Sequence, residues 1–356
     1  MVKDVKSITN NSRDISKFKG KNATFMLSLS NSETANIKGI TQAGIPGLIY
    51  LTPTLDAEFI ATGAIYSLDN IAETPAGVPT PALITRAIYL MRRFDGIEFL
   101  NLGLKVEPKI SNTIHHFGIK PSGDITKGAR IDAKEVFQKG LEFGKSYILD
   151  GDYLILAESV PSGTTTAQAS ALALGYDAKN YFSSSFKNVP SGVKEETIKK
   201  ALANIEGESD IFKRLGAVSD NMLIFNAGFI IGAMGRFDIA LAGGTQMAGV
   251  LLVAQSIAKE LDIKIDSSNW YLWTTKWVAE DENSNIKALL EMLDFEVGAF
   301  YSDFDFTTAG STHPALKLYD QGEAKEGVGA GGALVYGLIN NLPKELIAKE
   351  VEGFLM

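Results

Sequence analysis

Short, continuous apolar runs recur along this chain, and most lead through a small-residue turn into a stretch with helical apolar spacing. TFMLSLS (24–30), IEFLNLG (97–103), DYLILAES (152–159), FDIALAGG (237–244) and VGAFYSDF (297–304) read as strands, as does GLIYLT (47–52). These runs stay apolar rather than alternating strictly, which suits strands covered on both faces. Helical patterns follow at about 55–66, 80–93 and 132–145, then in TTTAQASALALG (164–175), TQMAGVLLVAQSIAKEL (245–261) and ALVYGLINNL (333–342). In the second of these Thr80 can cap and Pro81 fits the first turn. Strands alternating with helices predict βα units, and so an α/β fold with a mostly parallel sheet flanked by helices.

The remaining segments are polar. Residues 1–22 read as ill-ordered or wrapped on the surface, and 105–130 as loop. The stretch 180–191, NYFSSSFKNVPS, has turn composition; a solvated loop and a lid are its two readings. Trp270, Trp273 and Trp277 are expected to pack a sheet or interface rather than form a cage, and Glu280, Asp281 and Glu282 to be a solvated helix start.

Composition narrows the chemistry. The 356 residues include no cysteine, which removes disulfides, thiolate nucleophiles, Cys-ligated zinc and iron–sulfur clusters. The three histidines, His115, His116 and His313, lack metal-ligand spacing, so no metal is expected. A net charge of −8 without a polybasic run argues against nucleic acid. The uncharged window 239–258 contains Gly243-Gly244, Thr245 and two glutamines, and reads as a strand–turn–helix junction rather than a membrane span. With no apolar signal region over 1–21, the expected location is the cytoplasm.

Three junctions can carry chemistry, because ligands of an open parallel sheet bind beyond the carboxyl ends of its strands. A helix that starts there offers unpaired N–H groups to an anion, and glycine lets the ligand approach the backbone. The first junction runs from Glu158 through Ser162 and Gly163 to Thr164, Thr165 and Thr166. It can hold a sugar phosphate, with the carboxylate on ribose hydroxyls; the alternative is a helix capped by Thr164 with Glu158 on the surface. Gly243-Gly244-Thr245-Gln246 is the second, equally readable as close strand–helix packing. In the third, Lys325-Glu326 precedes Gly327, Gly329, Gly331 and Gly332, a spacing of neither dinucleotide-binding nor Walker A type. Glu326 is there a candidate general base, or else a surface glutamate beside a flexible turn.

Taken in order, Glu158…Gly163-Thr164-Thr165-Thr166, Ala242-Gly243-Gly244-Thr245-Gln246 and Lys325-Glu326-Gly327-Val328-Gly329-Ala330 resemble the nicotinate-nucleotide:dimethylbenzimidazole phosphoribosyltransferases, most of all their archaeal-type branch. The resemblance extends through Ser32-Glu33-Thr34 and Thr80–Arg86. It implies a Rossmann-like sheet domain, here 23–325, with a smaller, mainly helical domain drawn from the chain ends: 326–356 and part of 55–95. It also implies a homodimer that moves 5-phosphoribose from nicotinate mononucleotide to an aromatic base without a cofactor. Glu326 would be the general base, Glu158 and 162–166 would hold the nucleotide, and the helix begun by Thr80 and Pro81 would border the acceptor. Two departures from the bacterial members leave the acceptor open among dimethylbenzimidazole, adenine, a phenolic base or another azole. Their Pro-Pro-Gly-Ser-Leu-Gly segment is missing, and Gln246 stands where they carry a carboxylate. A non-catalytic nucleotide- or cobamide-precursor-binding protein is the second reading. An NAD-dependent oxidoreductase is a third, disfavoured by the missing Gly-x-Gly-x-x-Gly.

Overall fold

The computed structural model describes residues 3–10, 13–69, 73–74, 77–187 and 192–356. Among these, five of the apolar runs become β2 (Ala23–Leu29), β3 (Gly96–Asn101), β5 (Tyr153–Ser159), β6 (Ile239–Ala242) and β8 (Gly298–Ser302) of one sheet, which β1 (Val5–Ser7), β4 (Ile114–His116) and β7 (Trp270–Thr275), not expected as strands, complete. Their order is β1-β8-β7-β6-β5-β2-β3-β4, and every pairing is parallel except that of β1 with β8. Helices α1 (Thr52–Thr62) and α2 (Ala82–Met91) join β2 to β3, and α3 (Ala133–Ser146) precedes β5. Between β5 and β6 run α4 (Gly163–Ala173), α5 (Val193–Ala203), α6 (Ile211–Val218) and α7 (Asn221–Gly232). Then come α8 (Thr245–Glu260), α9 (Lys276–Ala279) and α10 (Ile286–Glu291), and finally α11 (Pro314–Asp320), α12 (Ala330–Ile339) and α13 (Lys344–Gly353).

Successive strand residues serve opposite faces. Phe25, Leu27, Tyr153, Ile155, Ala157 and Trp273 pack against α1, α2, α12 and α13. Met26, Leu154, Leu156, Leu241, Trp270 and Leu272 pack against α3, α4, α7, α8 and α10. From the adjacent strands β2 and β5 the chain proceeds outward in opposite directions, to β3 and to β6. The carboxyl ends of β2 and β5 therefore flank the crevice where the strand order reverses, the usual place for a ligand in such sheets.

Several local expectations change. GLIYLT is no strand: Ile49–Leu51 form a 3-10 turn leading into α1 at Thr52, with Pro53 in the first helical turn. A proline is out of place in an interior strand but fits there. The predicted helix at 55–66 accordingly starts earlier and ends at Gly63, whose φ of 81° is left-handed. Within 105–130, β4 forms a three-residue edge strand, too short to show a period. The N-terminal segment is ordered where described: β1 joins the sheet edge, and Phe18 is buried against Tyr153, Tyr271 and Trp273. Residues 1–2 and 11–12 of that segment lie outside the described residues. Trp270 and Trp273 are fully buried in β7, as packing residues should be. Among the described residues no helix is long and apolar enough to cross a membrane.

Where helices α3 and α7 cross, glycines bring their backbones together, with Phe143 packed on Phe225 and Phe229 beside the crossing. A Cβ at Gly140 or Gly144 would strike the α7 backbone, and one at Gly228 or Gly232 the α3 backbone. Gly228→Ala should therefore lower unfolding stability by about 1–3 kcal/mol, the usual cost of overpacking, read as an earlier urea midpoint. An unchanged midpoint would mean that the two helices separate at little cost.

Candidate active site

Glu158, the penultimate residue of β5, is only 3% exposed, because the chain turns just beyond it into α4. Its Oε2 accepts from the Val160 N–H at 3.1 Å and from Gln246 Nε2 at 3.0 Å. The turn passes through Ser162, a non-glycine residue at φ 68°, and α4 begins at Gly163. A Cβ on Gly163 would overlap the Gln246 amide, so glycine here is what admits Gln246 to Glu158. The hydroxyls of Ser162 and Thr165 are buried with no hydrogen-bond partner among the described residues. Unsatisfied hydroxyls beside a helix N-terminus suit an anion.

Glu326 arrives from the other side, immediately before α12. Its Oε2 accepts from Thr275 N (3.0 Å) and Thr274 Oγ1 (3.2 Å), and its Oε1 from Gly331 N (3.0 Å) and Gly327 N (3.2 Å). The glycines make this seat possible. A Cβ on Gly331 would overlap Glu326 and the Thr274 backbone, one on Gly332 would overlap Ala242, and one on Gly329 would lie 2.6 Å from the Ala157 Cβ. Gly327 and Gly329 also have positive φ.

Burial and its neighbours set the charge states. Burial first, then the facing Glu326 and Asp220 carboxyls, push the Glu158 carboxyl up to about 8; its two hydrogen-bond donors offset this only in part. Burial likewise raises Glu326 to about 7, against the pull of its four donors. At neutral pH Glu158 therefore holds a proton while Glu326 is poised to exchange one, a division of labour suited to acid–base chemistry. A carboxyl in place of Gln246 would add a third acidic group here; the amide instead donates to Glu158.

These groups line one cleft enclosing about 940 Å³, its open mouth included. Of the residues singled out from sequence, Glu158, Ser162, Gly163, Thr164, Gly244, Thr245, Gln246, Glu326, Gly327, Thr80 and Pro81 face it. Four stand behind. Thr165 is buried in α4, Thr166 donates to Asp220 Oδ2 at 2.5 Å, Gly243 packs on Met247 and Gly329 on Phe25. The alternative of an α4 capped by Thr164 over a surface Glu158 does not hold, and neither does a surface position for Glu326.

The far wall was not legible as a site. Asp56 of α1 is 1% exposed and accepts from Thr80 Oγ1 (2.6 Å) and Ser159 Oγ (2.7 Å). Its signal, an acid inside an otherwise apolar helical pattern, is shared with Glu58, which merely accepts from the loop amides of Tyr66, Ser67 and Lys109. The loop at 180–187 forms a third wall rather than a solvated loop. Lys325 Nζ donates to the carbonyls of Ser184 and Phe186, Lys194 Nζ to those of Phe182 and Ser183, and the Ser183 N–H to Thr245 Oγ1. Residues 188–191 lie outside the described residues. Asp281 is not part of a solvated helix start: it follows α9 and pairs with Lys325 at 3.4 Å, both side chains buried. A solvated acid would leave that lysine's charge uncompensated.

No family model matches the chain. Curated relatives match over nearly its whole length. The UPF0284 protein of Sulfolobus acidocaldarius is 36% identical over 334 residues, 93% of this chain and 94% of the relative. That of Sulfurisphaera tokodaii is 34% identical over 331 residues (92% and 91%), and that of Metallosphaera sedula 33% over 339 residues (94% and 94%). Among solved structures, nicotinate-nucleotide-dimethylbenzimidazole phosphoribosyltransferase from Thermus thermophilus superposes with a TM-score of 0.60 at 14% identity, covering 93% of this chain and 83% of that one. A CobT structure from the same organism gives 0.59 at 13%, covering 93% and 84%. The fold expected from the motif resemblance is thus the fold observed.

Carboxyls raised by folding bind protons more tightly folded than unfolded. Their contribution to stability is present below the unfolded value near 4.5 and is lost as pH rises through about 7 for Glu326 and about 8 for Glu158. The protein should therefore melt lower at about pH 9 than at about pH 5. Glu158→Gln, which cannot ionise, should flatten that decline and melt at least about 2 °C above the parent at the alkaline end. Equally steep Tm–pH curves for the two proteins would acquit Glu158.

Proposed function

The chain belongs to the UPF0284 family, and we propose that it is a phosphoribosyltransferase moving 5-phosphoribose from nicotinate mononucleotide to a benzimidazole-like or purine base in cobamide lower-ligand assembly. One observation carries the reading. A buried carboxyl, Glu158, and a half-buried one, Glu326, face each other at the strand ends beside a helix N-terminus with unpartnered hydroxyls. The fold shared with a phosphoribosyltransferase supports it.

In this mechanism the 5′-phosphate lies at the α4 turn, against its amides and the Ser162 and Thr164 hydroxyls. Glu158, protonated at neutral pH, engages a ribose hydroxyl. Nicotinate is bonded to the sugar as a cationic pyridinium, and when the C1′–N bond breaks the pair of electrons goes to the ring nitrogen. It departs without help from an acid or a metal, so the reading includes no cofactor. The incoming nitrogen forms its bond to C1′ from the opposite face, inverting β to α, and its N–H proton passes to Glu326. The backbone amides around Glu326 hold it in place without removing its basicity, because burial outweighs them. Gln246 leaves catalysis intact by steadying Glu158. The reading further includes a cytoplasmic homodimer.

The deciding experiment incubates the protein with nicotinate mononucleotide, with and without dimethylbenzimidazole or adenine, and separates the products. Base-dependent nicotinate release with a new α-ribosylated product is expected; tight nucleotide binding without release would instead favour a non-catalytic binder. Glu326→Gln should lower kcat by about 10²–10⁴-fold with nucleotide affinity kept. In the parent, kcat/KM should fall as pH drops below about 7, because the base must be ionised. Full turnover in the variant would remove Glu326 from the chemistry.

A further inference from the structure

The wall built on Asp56 has a hydrogen-bond polarity that the proposed reaction leaves unexplained. Asp56 sits on α1 in this wall of the cleft, hydrogen-bonded to Ser159 at the strand end that carries Glu158. Its Oδ1 takes the Thr80 hydroxyl and its Oδ2 the Ser159 hydroxyl, at 2.6 and 2.7 Å. No lysine or arginine pairs with it among the described residues; those two hydroxyls are its hydrogen-bond donors there, and the Tyr319 hydroxyl lies near enough to feel its charge. Glu58, two residues further along the same helix, instead takes three backbone amides and the Ser67 hydroxyl. Glu58 staples loops together; Asp56 holds only side chains that face the cleft.

A carboxylate can only accept hydrogen bonds, and a hydroxyl has one proton to give. Once Thr80 and Ser159 have given theirs to Asp56, each can present nothing but lone pairs to a ligand. Thr80 spends part of its capacity on the Ala82 N–H at 3.3 Å, whereas Ser159 Oγ has no donor on it among the described residues. Thr80 is held in register from behind, where the buried Tyr319 hydroxyl donates to the Pro79 carbonyl. This side of the cleft is therefore an acceptor surface of fixed sense. It stands beside Pro81, which approaches Gly327 directly after Glu326.

We propose that Asp56 is a positioning residue that makes Ser159 and Thr80 obligate acceptors, so that the cleft selects an aromatic base bearing an exocyclic amino group, of the aminopurine class, over bases lacking one. The inference rests on the phosphoribosyltransferase reading for the identity of the ligand as an acceptor base. A dimethylated benzimidazole has only methyl groups to offer at that edge, and burying a hydroxyl's lone pairs against methyl leaves them unsatisfied. An amino group on the ring supplies the missing donors.

Adenine and purine differ only in the amino group, so the test compares them. Calorimetry would measure binding of adenine, purine and dimethylbenzimidazole to the full chain, and the nicotinate-release assay would give kcat/KM for each. Adenine is expected to bind about 10- to 100-fold tighter than purine, the range for one donor meeting a buried acceptor. Asp56→Asn, whose amide can donate as well as accept, should collapse that ratio toward one; loss of general packing would weaken all bases alike and leave the ratio. Ser159→Ala, which deletes the less occupied acceptor, should do the same and serves if the Asp56 variant does not fold. Equal binding of adenine and purine by the parent, or a ratio unchanged in both variants, would overturn the proposal. The expected binding ratio without turnover of any base would uphold it and sink the transferase reading; turnover with no ratio would do the reverse.

Discussion

Between the N-terminal turn of α12 and the carboxyl ends of β5, β6 and β7 there is no room for a single β-carbon. Gly329 lies on Ala157 and Phe25, Gly331 on Thr274 and Gly332 on Ala242. That close seating brings the amides of Gly327 and Gly331 onto Glu326 and sets the carboxylate across from Glu158. Helix α12 in turn covers one face of the sheet with a wholly buried surface and packs on α2, which begins at the cleft's far wall. Glycine here acts through volume as much as through backbone freedom: contact explains Gly329, Gly331 and Gly332, and a φ of 141° explains Gly327.

A second constraint follows from the first. Seating the glycine turn this deeply crowds Glu158, Glu326 and Asp56 around one cleft, and Asp220 just behind it, with burial opposing ionisation in each. The lysine beside Glu326, Lys325, is already engaged with Asp281 and two carbonyls. The carboxyls are accommodated instead by amides, hydroxyls, one glutamine and bound protons. Such an arrangement costs stability; on the proposed transferase reading it leaves the Glu326 carboxylate without a counter-ion to be displaced when a cationic sugar centre forms.

Much of this was legible because parallel strands buried on both faces leave long apolar runs, and because a helix that begins at a strand end needs small residues at the junction. β2, β3, β5, β6 and β8 announce themselves in that way, as do Glu158 and Glu326 by their places before such turns. What stayed hidden has a common cause. β4 and the 3-10 turn at Ile49–Leu51 are too short for a period to develop. Phe18, with Val5 and Ile15, anchors the N-terminal segment among polar neighbours whose composition reads as solvent. Asp56 and Asp281 are buried polar groups whose partners lie far away in sequence: Ser159, and Lys325 with Ser183. A local pattern carries no record of such pairings.

Three non-glycine residues on the cleft hold left-handed backbone, Ser162 at φ 68°, Ala324 at φ 44° and Val328 at φ 56°. For a β-branched residue such as valine this costs about 1–2 kcal/mol, and the strain has identifiable restraints. The Val328 N–H donates to the Glu158 carbonyl at 2.9 Å, and its own carbonyl takes the Thr85 hydroxyl at 2.8 Å. One strained peptide segment thereby ties β5, the glycine turn and α2 together, which are the three elements that carry Glu158, Glu326 and the wall around Thr80. The buried apolar packing of α12 against the sheet is large enough to hold that conformation, whereas a relaxed turn would release the Glu158 carbonyl and let the two carboxyls drift apart. Strain at Val328 is thus the local consequence of bringing a helix, a strand end and a second helix to a single point, and the distance between the two carboxyls depends on its being held.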